Sequence, residues 1–199
     1  HIEVVLTGIH TGGYGEDLPD YSFADLLRDL ETVEGLKRIR ISSIEISEIN
    51  EEILSVIKNS KKIVHHLHVP LQSGSDNILK KMNRKYQTAE YKQMIERIRE
   101  YLPDAAFTTD VIVGFPGETE EDFAQAYDFI KSIGFQELHV FPYSRRKGTI
   151  ADKLPDQVDG RVKKDRVHKL LTLSDNLLSD YINKSINTIH DVIVEQRKD

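Results

Sequence analysis

The stretch Thr108-Thr109-Asp110-Val111-Ile112-Val113-Gly114-Phe115-Pro116-Gly117-Glu118-Thr119 admits few folds, because it joins a strand, an abrupt turn and a helix start with no spacer between them. Ala105 to Val113 is a short apolar run rich in Val, Ile, Phe and Thr, bounded by Pro103 and Gly114. That is the pattern of a parallel strand buried on both faces. Gly114, Pro116 and Gly117 end it in a tight turn. Thr119 and Asp122 then form a capping box for a helix over Glu120–Ser132. Parallel α/β folds place ligands at the carboxyl ends of their strands, so Asp110, Gly114 and Phe115 are the first residues expected near one. The alternative is a plain strand-to-helix connection.

The same unit recurs along the chain. Ile2–Leu6 reads as a strand, and it leads into Thr7–Gly15, whose four glycines suit either close backbone approach to a ligand or a wide turn. Ser22 with Asp25 caps a helix to Val33, with Phe23, Leu26, Leu27 and Leu30 on one face. Lys37–Ile44 alternates as a strand does and brings Ser42, Ser43 and Glu45 to its carboxyl end. Asn50 caps a helix to about Asn59, and His65–Leu71 is a strand closed by Pro70 and Gln72-Ser73-Gly74-Ser75. A short helix over Asp76–Met82 follows, its amino terminus turned to the strand end, where free N–H groups favour an anion. Thr88–Glu100 is a helix, Glu137–Tyr143 a strand and Arg161–Ile189 a long amphipathic helix, and Asp191–Glu195 is expected to begin another strand. Strands about thirty residues apart with helices between them are the repeat of βαβ units, and right-handed crossovers curl such units toward a barrel. Five strands are too few to close an eight-stranded one.

A net charge of -6 leaves room only for local contact with nucleic acid. Arg145, Arg146 and Lys147 at a strand's carboxyl end either meet substrate phosphates or are plain solvated surface. Among His65, His66 and His68, alternation puts the last two on one face, and without a neighbouring carboxylate the sequence assigns no metal site. The chain has no cysteine, which removes disulfides, thiolate nucleophiles and cysteine-held clusters from these residues. No apolar run approaches the roughly 18 residues of a membrane span and there is no signal pattern, so the cytoplasm is the expected location.

A family resemblance rests on six ordered blocks: Thr7-Gly8-Ile9-His10, Arg40–Glu45, His68–Ser75, Met82-Asn83-Arg84-Lys85-Tyr86, Asp110–Thr119 and Phe141–Thr149. Together they resemble the radical S-adenosylmethionine methylthiotransferases, nearest the branch that modifies N6-threonylcarbamoyladenosine in tRNA. The resemblance implies an α/β fold, a partial (β/α) TIM-like barrel of the radical S-adenosylmethionine type. Residues 1–189 would be its core from the second to the sixth unit, lacking the first strand, and residues 190–199 the start of an RNA-binding TRAM domain. It further implies transfer of a methylthio group by radical chemistry, with S-adenosylmethionine and two 4Fe-4S clusters as cofactors, and tRNA and an electron donor as partners. Gln72, Ser73 and Gly74 would line the ribose and methionine of S-adenosylmethionine, and Ser43 and Glu45 would reach the same ligand. Val113, Gly114 and Phe115 would border its adenine, and Arg145, Arg146 and Lys147 would face tRNA. The sequence departs from the family in lacking the Cys-x3-Cys-x2-Cys loop. Thiolate is the required cluster ligand, so these residues by themselves are expected to be catalytically inert. The alternative is a cluster-free barrel that only binds a nucleotide-like ligand or RNA.

Overall fold

A computed structural model describes residues 1–194. Its order is β1 (Glu3–Leu6), α1 (Phe23–Thr32), β2 (Arg38–Ile41), α2 (Glu51–Asn59), β3 (His66–His68), α3 (Asp76–Lys81), α4 (Thr88–Tyr101), β4 (Ala106–Val113), α5 (Glu120–Ile133), β5 (Glu137–Pro142) and α6 (Gly160–Ser185). Local chemistry sets the helix starts. The Ser22 and Thr119 side chains each accept from the backbone N–H three residues on, and Asp25 and Asp122 return the bond. The Asn50 side chain likewise accepts from Ile53 N at 2.9 Å.

Every strand pair is parallel. β1 pairs with β2, and β3, β4 and β5 form a second ladder. Among the described residues the two meet through single bridges, Ile39 with Ile63 and Ser43 with His68. β2 and β3 are shorter than their sequence patterns, because Pro70 has no N–H to donate and Gln72 takes the next bridge, to Val111, from a left-handed conformation (φ 67°). α1 packs on α2, α2 on α4, α4 on α5 and α5 on α6, so the helices lie side by side on one face of the sheet.

Strand alternation divides the side chains accordingly. Ile39, Ile41, Leu67, Phe107, Thr109, Val111, Val113 and Leu138 are buried under the helices. Arg40, His66, His68, Asp110, Ile112, His139 and Phe141 alternate with them, turned to the inner face, and are half-buried or exposed. The expectation that β4 is buried on both faces holds for its first half and fails at Asp110 and Ile112, where no helix covers the inner face. Asp191–Val194 form no strand, since no described edge pairs with them; Asp191 O instead accepts from Arg38 Nη2 at 3.2 Å. The rest of the expected TRAM start, residues 195–199, lies outside the described residues.

Candidate functional site

The carboxyl ends of β2 to β5 form a rim whose loops are fixed by a few polar contacts. After β4, Gly114 and Gly117 both adopt positive φ (71° and 76°), which lets the turn double back. Gly114 N donates to Glu118 Oε2 at 2.6 Å, and the same oxygen accepts from Arg166 Nη1 of α6 at 2.6 Å. Both side chains are buried. Phe115 is buried and meets Tyr143 edge to face, centroids 5.2 Å apart.

After β3, Ser73 and Gly74 turn inward. The Ser73 hydroxyl accepts from Ser75 N at 3.2 Å, and a Cβ on Gly74 would stand 2.8 Å from the Ala126 backbone. These two, with buried Val113, hold the rim together from within, whereas Gln72 remains half-exposed. Ser75 Oγ donates to Asp122 Oδ1 at 2.8 Å and Asn77 Nδ2 to the same carboxylate at 3.1 Å, tying α3 to the cap of α5. Burial opposes ionisation of Asp122, but bonds from the Thr119 N–H, Ser75, Asn77 and the Thr119 hydroxyl outweigh it and hold the carboxyl below its ordinary value. A depressed folded-state pKa gives stability that is present above the unfolded carboxylate range and lost as pH falls through the folded value. Asp122→Asn is expected to cost about 1–3 kcal/mol at neutral pH and to flatten the acid limb of stability, as read by urea unfolding across a pH series. An unchanged acid limb would refute that role.

At the end of β2, Ser43 sits in the bridge to His68, and Glu45 pairs with Arg84 at 3.3 Å. Glu48, unremarked in the sequence, gathers the glycine-rich loop. Its carboxylate accepts from Gly12 N at 3.0 Å and Glu45 N at 3.2 Å and meets His10 Nε2 at 2.7 Å. The loop is thus a wide turn, with Tyr14 N donating to Thr11 O at 3.3 Å and Glu16 N to Gly13 O at 3.2 Å, held by this carboxylate. Beyond β5 the three cations part company. Arg145 is engaged by Asp152, through Nε to Oδ1 at 2.9 Å and Nη2 to the carbonyl at 2.8 Å, while Arg146 and Lys147 are exposed. Arg146 joins Gln72, Asp110, Ile112, Phe141 and Tyr143 around a cavity of about 480 Å³. That volume and mixed lining suit a nucleoside-sized ligand.

Of the residues named from sequence, the structure thus brings Gln72 and Arg146 into one cavity. It places Gly114 and Phe115 on its supporting turn and leaves Ser43 and Glu45 on the neighbouring strand end. What the sequence did not show is a cluster on the inner face, where His68 Nε2 and His139 Nδ1 stand 3.4 and 3.3 Å from Asp110 Oδ1. Burial, partly offset by Asp110, pushes the His68 imidazole below its ordinary value, and burial together with Arg40 does the same to His66.

Residues 3–130 match the profile of the Radical SAM superfamily, and the chain belongs to it. The match to particular proteins is closer still. The chain is 55% identical over 195 residues to the threonylcarbamoyladenosine tRNA methylthiotransferase MtaB of Bacillus subtilis (strain 168), which covers 98% of this chain and 43% of that protein. It is 42% identical over 194 residues to the tRNA-2-methylthio-N(6)-dimethylallyladenosine synthase of Thermoanaerobacter pseudethanolicus (strain ATCC 33223 / 39E), covering 97% of this chain and 41% of that one. The chain therefore spans less than half the length of these relatives. Among solved structures, the coproporphyrinogen III oxidase HemN from Escherichia coli, described as a radical SAM enzyme, superposes with a TM-score of 0.60 at 18% identity, over 76% of this chain and 36% of that one. This likeness agrees with the partial barrel expected from the βαβ spacing.

Proposed function

We propose that this chain is core of a tRNA methylthiotransferase that adds a methylthio group to N6-threonylcarbamoyladenosine. The observation that carries the reading is the 55% identity over 98% of the chain to a methylthiotransferase of that name, against 42% to the dimethylallyladenosine enzyme. The rim supports it with a nucleoside-sized cavity. When bound, S-adenosylmethionine supplies the radical with which such enzymes activate a carbon–hydrogen bond. The residues present fit that ligand: the Gln72 amide offers a donor and an acceptor to ribose hydroxyls, Ile112, Phe141 and Tyr143 give flat apolar walls, and Ser43 and Glu45 extend the polar side. Ser73, Gly74 and Val113 act by holding the loops, and Gly114 with Phe115 borders the base from the buried turn that supports the cavity. Arg146 and Lys147 are free to meet phosphate, whereas Arg145 orients the loop through Asp152. The residues do not fit an iron–sulfur cluster, because none of them offers a thiolate, and no step here passes through one. tRNA as substrate, with an electron donor as second partner, places the reaction in the cytoplasm. Among the described residues no helix is long and apolar enough to cross a membrane.

The test is genetic and chemical. The protein carrying this chain is expressed in a Bacillus subtilis strain deleted for its 55% identical relative, and tRNA is hydrolysed and its nucleosides separated by mass spectrometry. Restoration of methylthio-threonylcarbamoyladenosine is the expected result. Appearance of methylthio-dimethylallyladenosine instead, or no methylthio nucleoside from a well-expressed protein, would overturn the assignment.

A further inference from the structure

The geometry points to a site for one divalent transition-metal ion, of the Zn²⁺, Ni²⁺ or Fe²⁺ class, formed by His68 Nε2, Asp110 Oδ1 and His139 Nδ1 on the inner face of the sheet. Sequence alternation had set two histidines, His66 and His68, on this face and lacked a carboxylate. Strand register supplies one. His139 is paired directly with Asp110 across β4 and β5, and His68 with Thr108 across β3 and β4, so residues 42 and 29 positions apart in the chain converge.

The spacing suits ligation of a single ion. The two nitrogens lie 3.4 and 3.3 Å from one carboxylate oxygen, and all three atoms fall within 4.8 Å of one another. A good N–H···O bond to a carboxylate closes to about 2.7–2.9 Å. Donor atoms around an ion with bonds of about 2.0–2.1 Å are held about 3.3 Å apart at tetrahedral angles. The two imidazoles are stacked, centroids 5.2 Å apart and planes 25° from parallel, and both have a nitrogen near the same carboxylate oxygen. His68 is also oriented from behind. Its Nδ1 is 2.9 Å from the Thr108 hydroxyl, which is itself 3.2 Å from His66 Nε2, so Nε2 is left to face Asp110. Such outer partners fix the tautomer and ring angle of ligating histidines. Two imidazoles and one carboxylate suit borderline transition ions and are a poor match for Mg²⁺ or Ca²⁺, which take all-oxygen shells. Three protein ligands leave a coordination position open, and one of them, Asp110, also lines the cavity at the strand ends.

The test needs neither cofactor nor RNA, so it stands or falls apart from the proposed function. The chain is stripped with chelator and titrated with Zn²⁺ by calorimetry, with Co²⁺ absorption reporting the geometry. One ion per chain is expected, and His139→Ala should weaken binding by at least about tenfold. His65→Ala should leave it unchanged, since that imidazole lies on the other face and pairs with Asp104 at 2.7 Å. His139 is exposed, so its variant should keep the parent's thermal unfolding; Asp110→Asn adds a second reading if it folds. Absence of binding, or binding that His139→Ala does not weaken, overturns the site and marks the ion as adventitious.

Discussion

Arg166→Met is expected to lower folding stability by about 3–5 kcal/mol, the cost of leaving a buried charge without its partner. Arg166 is 2% exposed on α6, and its guanidinium binds Glu118 through both the carboxylate (2.6 Å) and the carbonyl (3.2 Å), and Glu120 Oε1 at 2.6 Å. Removing it strands the Glu118 carboxylate, also buried, with the Gly114 N–H as its remaining close donor. The cost should fall on the unfolding midpoint in urea with the slope unchanged. Arg166→Met combined with Glu118→Gln should recover part of it, because an uncharged amide is cheaper to bury. A loss below about 1 kcal/mol would mean that water reaches the pair and that α6 does not lock the turn.

Phe107→Ala should cost a similar 3–5 kcal/mol, while Phe141→Ala, on the adjacent strand, should cost about 1 kcal/mol or less. Phe107 is 1% exposed on the helix-covered face, beneath the Arg99 guanidinium at 5.3 Å from its ring centroid. Phe141 is 50% exposed on the inner face. The pair measures by chemical denaturation which side of the sheet carries the core. Equal losses would contradict the assignment of the inner face as a binding surface.

What the sequence made legible was local. The capping boxes at Ser22 and Thr119 and the Asn50 cap are short-range chemistry, complete within four residues, and all three form as expected. Alternation sorted His65 from His66 and His68 because a strand has a period of two. The long-range partners were not legible. Nothing near Glu118 announces Arg166, which lies 48 positions away, and Arg145 resembles its neighbours until Asp152 engages it. Ser73 and Gly74 sit in a block that reads as ligand-facing, and what it did not announce is that Ser73 caps its own turn and that α5 passes against Gly74. The His68, Asp110 and His139 cluster depends on the registers of two ladders, and register is a property of the assembled sheet.

The seam between β2 and β3 divides the molecule mechanically. Elsewhere the strands are joined by runs of consecutive bonds. Here Ile39 exchanges bonds with Lys62 O (2.8 Å) and Val64 N (3.0 Å), and Ile44 N reaches His68 O at 3.1 Å. Opening this line breaks few amide bonds, so it is the cheapest place for the sheet to part. The amides of β1 and β2, with the loop that Glu48 gathers, would then exchange with solvent as one cooperative unit, and those of β3 to β5 as a second, slower one.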